Sequence, residues 1–301
     1  MVHQNTIRYI IKFGGPKKII KALIFYVYDS FKKRNLDLKQ SKIIQVNDYK
    51  MKIIPNDKGI SSELLIYGNH EPLSTEIILN ELSEGMNCLD IGSNIGYYVL
   101  LESKKVGLTG NVWAIEPSPE NYSVLLDNIK LQNNKNIIAF NFAIGDKNEE
   151  IEFIISKKSN WSKIKEENDK ILSEDKIIKV PLKTLDLFVE ENNLRKIDLL
   201  RMDVEGFESR IIFGGLEFLR KFKPIIMIEV HKMIMGKNET KKILEKIKEI
   251  NYECVFFIPR IFDVQIIGER KDIKNISIND LLKKLDNNTL PDVFQLTLKQ
   301  K

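Results

Sequence analysis

Four short stretches place acidic, glycine and histidine residues where chemistry could be held. The first, LDIGSNIGYY over residues 89–98, joins an apolar run to a helix-like segment through Gly92 and Gly96, with Asp90 directly before them. Gly92 permits a tight turn, and Gly96 permits close approach of backbone to a strand or a ligand. A helix opening there offers free N–H groups. The second, VWAIEPSPEN, carries Glu116, 26 residues after Asp90, followed by Pro117. The third, RMDVEGFE, carries Asp203 and Glu205, and the fourth, IEVH, carries Glu229 and His231. Each of these last pairs is spaced by two residues, so both members face one side while a strand lasts.

The first loop is not built for a dinucleotide. A pyrophosphate loop has the pattern G-x-G-x-x-G, and here Asn94 stands at the second glycine. Asp90 would repel a phosphate but suits a cationic amino group. A ligand with adenosine at one end and an amino acid at the other meets both conditions, which points to S-adenosyl-L-methionine. Candidate contacts are Asp90, Gly92, Ser93, Asn94, Gly96 and Tyr97. An acid at the end of the second strand is placed to accept both ribose hydroxyls, which assigns Glu116 to the ribose and Pro117 to the neighbourhood of the adenine. The plain alternatives are a glycine turn without a ligand and a solvated loop acid.

The elements that position these residues alternate. Strand-like runs cover residues 87–91, 111–115, 136–143, 197–203, 224–230 and 252–258. Helix-like segments cover 95–105, 119–131, 184–192 and 239–250. Strands separated by helices predict an α/β fold with a doubly wound, mostly parallel, Rossmann-like sheet. Residues 150–155 and 177–182 read as further strands, and the polar stretch 156–176 between them as a surface insertion. Residues 43–46 and 50–54 around Asn47-Asp48 read as a hairpin.

Charge divides the chain. Residues 1–40 hold nine Lys and Arg against two acids, or +7, while the rest holds 38 bases against 40 acids, or −2. Residues 16–34 read as a basic helix, with Ile19, Ile20, Leu23, Ile24, Val27 and Phe31 on one side. Such a helix suits an anionic membrane surface; docking on its own body or on a second subunit, as a homo-oligomer, is the alternative. We expect residues 1–60 to form this N-terminal extension with the hairpin, and 61–301 the main domain. The nearly neutral body argues against nucleic acid as a partner. Cys88 and Cys254 read as buried thiols, and no zinc-like spacing is present. No cleavable signal pattern opens the chain. The apolar stretch 22–28 is far short of the roughly 20 residues that span a bilayer. The expected location is cytoplasmic, with the inner membrane surface as a contact for residues 16–34.

The ordered set LDIGSNIGYY, AIEPSPENYSVLLDNI, FAIGD, LLRMDVEGFE and IIMIEVH, with YGNHEP upstream, resembles the FkbM family of S-adenosylmethionine-dependent methyltransferases over residues 65–232. The resemblance implies the class I methyltransferase fold with one antiparallel strand near the sheet edge. It implies methyl transfer, usually to oxygen, on sugar hydroxyls, glycans, glycolipids or hydroxylated metabolites. It also implies that residues 68–72 cap the cofactor pocket, with Glu71 at the methionine end or at the acceptor; helix capping alone is the alternative. Asn141 and Ala143, after the third strand, would meet the adenine. Ser93 replaces a common Ala.

An alcohol acceptor must lose its proton near the transition state, which asks for a base within hydrogen-bond reach. His231, one of three histidines, has an ordinary pKa of about 6.5 suited to that work. We expect His231 as the base, oriented by Glu229, with Asp203 and Glu205 holding acceptor hydroxyls or the methionine end, and no metal. A divalent cation held by Asp203, Glu205 and His231 is the other arrangement these residues allow. Rival functions are a nicotinamide-dependent oxidoreductase, a methyltransferase for protein or nucleic acid, and a non-enzymatic membrane-surface module with a decayed cofactor fold. The missing second glycine and Asp90 argue against the oxidoreductase, and the presence of Asp90, Glu116, Asp203 and His231 against decay.

Overall fold

Short apolar runs bounded by turn residues and separated by helices bury both of their faces, which is the condition for interior parallel strands. The computed structural model describes residues 40–133, 135–167, 169, 171–260 and 275–301, with residues 20 and 27. The helix expected over 16–34 lies outside the described residues apart from those two. The strands are β1 (Ile43–Val46), β2 (Tyr49–Lys52), β3 (Asn87–Ile91), β4 (Asn111–Ile115), β5 (Ile137–Phe140), β6 (Ala143–Gly145), β7 (Glu149–Ile155), β8 (Lys163–Ile164), β9 (Lys176–Thr184), β10 (Leu199–Met202), β11 (Ile225–Val230), β12 (Tyr252–Pro259) and β13 (Phe294–Gln300).

Seven of them form the central sheet in the order β12-β13-β11-β10-β3-β4-β5. Pairing is parallel from β11 through β5. β13 runs antiparallel between β11 and β12, the single reversed strand that the resemblance implied. The chain builds outward from β3 to β5, then returns to lay β10 against the other side of β3. Strand order reverses at that point, and in open α/β sheets the crevice beyond the strand ends there is where ligands bind.

Period-two alternation sorts the side chains. Leu89, Ile91, Leu200, Met202, Ile226 and Ile228 enter one apolar core under the later helices. Cys88, Leu199 and Met227 enter the other, beneath the helices Ile60–Tyr67, Pro72–Glu81 and Tyr97–Val106. Asp90 and Arg201 are direct cross-strand partners in register, so the same alternation stacks two charged residues on this second face.

Three expectations change. The run 136–143 splits, because the chain leaves the central sheet after Phe140 and Ala143 begins β6 of a separate four-stranded sheet, β6-β9-β7-β8. The hairpin β1–β2 packs with the body: Val46, Tyr49 and Met51 share a core with Leu64, Ile78 and Tyr97. The Lys52 N–H donates to Asn128 Oδ1 at 2.6 Å, and Asn128 Nδ2 donates back to the Lys52 carbonyl at 3.1 Å. Packing therefore does not divide at residue 60. The stretch 156–176 is more than a surface insertion, since its short 3-10 turn Ser159–Trp161 reaches the pocket described below. Both cysteines are buried free thiols. Among the described residues, no helix is long and apolar enough to cross a membrane.

Candidate active site

The loop after β3 is folded by its own backbone. Gly92 and Ser93 donate N–H bonds to the Ile115 carbonyl at 2.9 and 3.1 Å, and Gly96 donates to Ser93 at 2.9 Å. Gly92, Asn94 and Gly96 all have positive φ. The turn delivers the Asn94 N–H to Glu116 Oε2 at 2.8 Å. Glu116 Oε1 accepts from Ser118 N at 2.9 Å and Asn121 Nδ2 at 3.3 Å. Burial lifts the Glu116 pKa to about 7, against the pull of these hydrogen bonds. Glu116 is thus a buried carboxylate fixed by neutral donors, with lone pairs left for further hydroxyl donors.

One pocket joins this loop to the far side of the switch point. Gly92, Ser93, Asn94, Tyr97, Glu116, Pro117 and Ala143 line it, together with Asp203 and Glu205 beyond β10. Ser159, Asn160, Ser162 and Ile164 of the insertion complete its wall. Asp57 anchors that wall: its buried carboxylate accepts from Gly59 N, Ser61 N, Ser159 N and Ser159 Oγ at 2.8–2.9 Å.

Several expected contacts stand elsewhere. Asp90 is fully buried behind the loop, and its cation comes from within the chain: Arg201 Nη1 lies 3.3 Å from Oδ2, and Ser93 Oγ donates to Oδ1 at 3.0 Å. Burial raises the Asp90 pKa and Arg201 opposes the rise. Gly96 packs against the helix, where a Cβ would meet Leu125 at 2.6 Å. Asn141 spends its amide on the Glu116 and Pro117 carbonyls at 2.8 and 3.1 Å, so it shapes the loop after β4. Glu71 makes no side-chain capping bond to its helix. It accepts from Tyr98 Oη at 2.9 Å, pairs with Arg260 and lies 3.2 Å from His70 Nε2. Burial opposes its charge, yet Arg260 and His70 hold its pKa well below the ordinary carboxylate value.

Two arginines organise the acids, and neither stood out in the sequence. Arg201 bridges Asp90 and Asp203, the latter at 3.3 Å, with its guanidinium 3.9 Å from the centre of the Tyr98 ring. Arg260, one residue past β12, pairs with Glu71 and donates to Glu229 at 3.0 Å. Gln295 of β13 donates to Glu71 at 3.3 Å and Glu229 at 3.4 Å, and accepts from Ser74 Oγ at 2.5 Å. Period-two spacing held the clue to Arg201, which precedes Asp203 by two in RMD. Glu208, a further unanticipated acid, bonds His231 Nδ1 at 2.7 Å.

The structure brings Asp203, Glu205, Glu229 and His231 together. Burial, the largest influence, raises the Glu229 pKa to about 7 against Arg260. It raises that of Glu205 to about 8 against His231. Burial disfavours a charge on His231, but Glu205, Glu208 and Glu229 outweigh it and lift its pKa well above the ordinary value. His231 does not line the pocket, its Nδ1 is bonded to Glu208 and its Nε2 is turned to carboxylates, which counts against it as the base. Glu229 also faces Arg260 and Gln295 more closely than it faces the imidazole, 3.6 Å away.

The chain is similar to known proteins. The FkbM methyltransferase domain matches residues 90–254, more than half of the chain. The chain is 25% identical over 189 residues to the hexuronic acid methyltransferase AglP of Haloferax volcanii, covering 61% of this chain and 74% of that protein. It is 27% identical over 142 residues to methyltransferase 1 of Beauveria bassiana, with 42% and 57% covered. A crystal structure of an FkbM methyltransferase from Methylobacillus flagellatus superposes with TM-score 0.42 at 13% identity over 72% of this chain and 44% of that one. The chain belongs to the FkbM methyltransferase domain family.

Proposed function

We propose that the protein transfers a methyl group from S-adenosyl-L-methionine to an oxygen of a sugar or glycan. The observation that carries this reading is the shared pocket, in which a ribose-type acid, Glu116, and an acceptor-type pair, Asp203 and Glu205, line one space beside the β3 loop. Glu116 fits the ribose because its buried carboxylate has neutral donors beside it and room for more, and a vicinal diol supplies two hydroxyl donors. When bound, the cofactor supplies the electrophilic methyl and the sulfur leaving group. The chain's residues hold the acceptor and manage its proton. Asp203 and Glu205 accept the acceptor's hydroxyl hydrogen bonds, and Glu205, which turns only Oε2 toward His231, takes up the proton on its other oxygen as the O–C bond forms. His231 stands behind the pair as a positioning residue. The name of the Haloferax relative supports a sugar acid as the first acceptor to try.

Calorimetric titration of the full chain and of Glu116→Ala with S-adenosylmethionine, S-adenosylhomocysteine and NAD tests the reading. Binding of both adenosyl ligands but not NAD, weakened about 100-fold by the substitution, is expected, as for a lost pair of charge-assisted hydrogen bonds. Binding of NAD alone, or of none of the three, refutes it. Transfer of labelled methyl to hexuronic acids, with the alkali stability of the product, then separates an ether from an ester.

A further inference from the structure

Three carboxylates converge on one imidazole nitrogen. His231 is buried, 4% exposed, and its Nε2 lies 3.4 Å from Glu205 Oε2, 3.6 Å from Glu229 Oε1 and 3.9 Å from Asp203 Oδ1. The ring's hydrogen bond is on its other side, from Nδ1 to Glu208 Oε1 at 2.7 Å. Glu208 is fully buried, and its Oε1 also receives the Gly206 N–H at 3.0 Å. Glu208 therefore fixes Nδ1 as the protonated nitrogen and turns Nε2 toward the carboxylates. A carboxylate behind a histidine is the usual support for an imidazole that binds a cation through its other nitrogen.

The spacing separates a proton from a metal ion. A proton on Nε2 shared with a carboxylate would draw the two to about 2.8 Å. Ligands of one divalent ion stand farther apart. With bonds of about 2.1 Å, neighbours are about 3.4 Å apart in a tetrahedral shell, and about 3.0 Å (adjacent) or 4.2 Å (opposite) in an octahedral one. The distances from Nε2 to Glu205 and Asp203, 3.4 and 3.9 Å, fall within that range. The carboxylates also differ in their commitments. Glu229 is held by Arg260 and Gln295. Asp203 gives Oδ2 to Arg201 and keeps Oδ1 toward His231. Glu205 has no hydrogen-bond donor or cation other than His231 among the described residues.

We propose that Asp203, Glu205 and His231 form a binding site for a divalent cation, with Glu208 as the carboxylate that orients the histidine. The three donors lie mutually within 4.8 Å. One imidazole with two carboxylates suits Mn2+, Fe2+, Co2+ or Zn2+ better than the all-oxygen preferences of Mg2+ or Ca2+. Asp203 and Glu205 line the pocket, so open positions on the ion face the acceptor, and a cation there polarises an acceptor oxygen. That use of the ion rests on the methyltransferase reading; its binding does not.

Mn2+ is the probe. The full chain, stripped with a chelator and returned to chelator-free buffer, is titrated with Mn2+ while free Mn2+ is followed by electron paramagnetic resonance. S-adenosylhomocysteine is titrated calorimetrically into the same preparations. One Mn2+ per chain is expected, with affinity reduced at least about 100-fold in Glu205→Gln and about 10–100-fold in Glu208→Gln. The control Glu253→Gln, an exposed acid on β12 outside the cluster, should leave it unchanged. Glu205 sits on the pocket wall, so its amide should fold; Glu208→Gln gives a second reading if it does not. If the wild type leaves Mn2+, Co2+ and Zn2+ free at about 1 mM yet binds S-adenosylhomocysteine, the cation site is overturned and the methyl-donor reading stands. Unchanged affinity in both variants also overturns the site. Mn2+ binding without S-adenosylhomocysteine binding leaves the site intact and removes the donor reading.

Discussion

A Cβ at position 92 would stand 2.1 Å from the carbonyl oxygen of Asp203. The cofactor loop and the acceptor-side strand therefore touch through backbone, and only glycine allows it. Gly92 also has φ +82°, where an L-residue is strained. Gly92→Ala should cost about 2 kcal/mol or more in stability and push β3 and β10 apart at the pocket. A melt and a calorimetric titration with S-adenosylhomocysteine check it. An unshifted midpoint with unchanged binding would show that the contact relaxes without cost.

Arg260 neutralises two buried acids at once. Arg260→Met leaves Glu71 and Glu229 without it, and breaking such a pair costs about 3–5 kcal/mol. Adding Glu229→Gln to that variant should recover part of the loss, because the amide needs no counter-charge. Denaturant unfolding of the single and double variants measures the coupling.

His70 gives a pH dependence of defined sign. Burial opposes its charge, but Glu71 and Glu63 together raise its pKa from 6.5 to about 10. A raised histidine pKa means that the folded state holds the proton more tightly than the unfolded chain. The resulting stability is fully present below pH 6.5 and is lost as pH rises toward about 10. The difference in unfolding free energy between wild type and His70→Gln should therefore shrink over that window, by on the order of 2–4 kcal/mol. A difference that grows with pH would reverse the assignment.

Asp57 holds the pocket wall through four donors from Gly59, Ser61 and Ser159. Asp57→Ala should cost about 2–4 kcal/mol, since it strands buried N–H groups. It should also release the turn that carries Trp161, whose ring lies 3.4 Å from Lys158 Nζ. Trp161 fluorescence, read against Trp161→Phe to remove the Trp113 contribution, should shift toward that of a solvated indole. Affinity for S-adenosylhomocysteine should fall about 10-fold.

The parallel strands were legible because each is a short apolar run between turn residues, and β3, β4 and β11 lie within a residue of their expected bounds. β13 was not marked. Its sequence, FQLTLKQ, alternates polar and apolar residues, yet Gln295 and Thr297 are buried along with Phe294, Leu296 and Leu298, since an interior antiparallel strand hides both faces. The site acids were legible by position at strand ends. Their partners were not: Arg201 comes from β10, Arg260 from just past β12 and Gln295 from β13, so only the register of these strands against β11 and β3 shows which carboxylate each one meets. Glu116, which lines the pocket, and Asp90, which is buried behind the loop, look alike in sequence, because both stand at a strand end beside a turn.

β13 inserts between β11 and β12 although it follows both along the chain. A ribosome therefore releases β11 and β12 before the strand that joins them exists. In that interval two strand edges lie open to other chains, and Glu71 and Glu229 wait for Gln295. Newly made protein should pass through a stage in which the parallel half is assembled and the acid network is not. A stop codon just ahead of β13 would hold the chain at that stage.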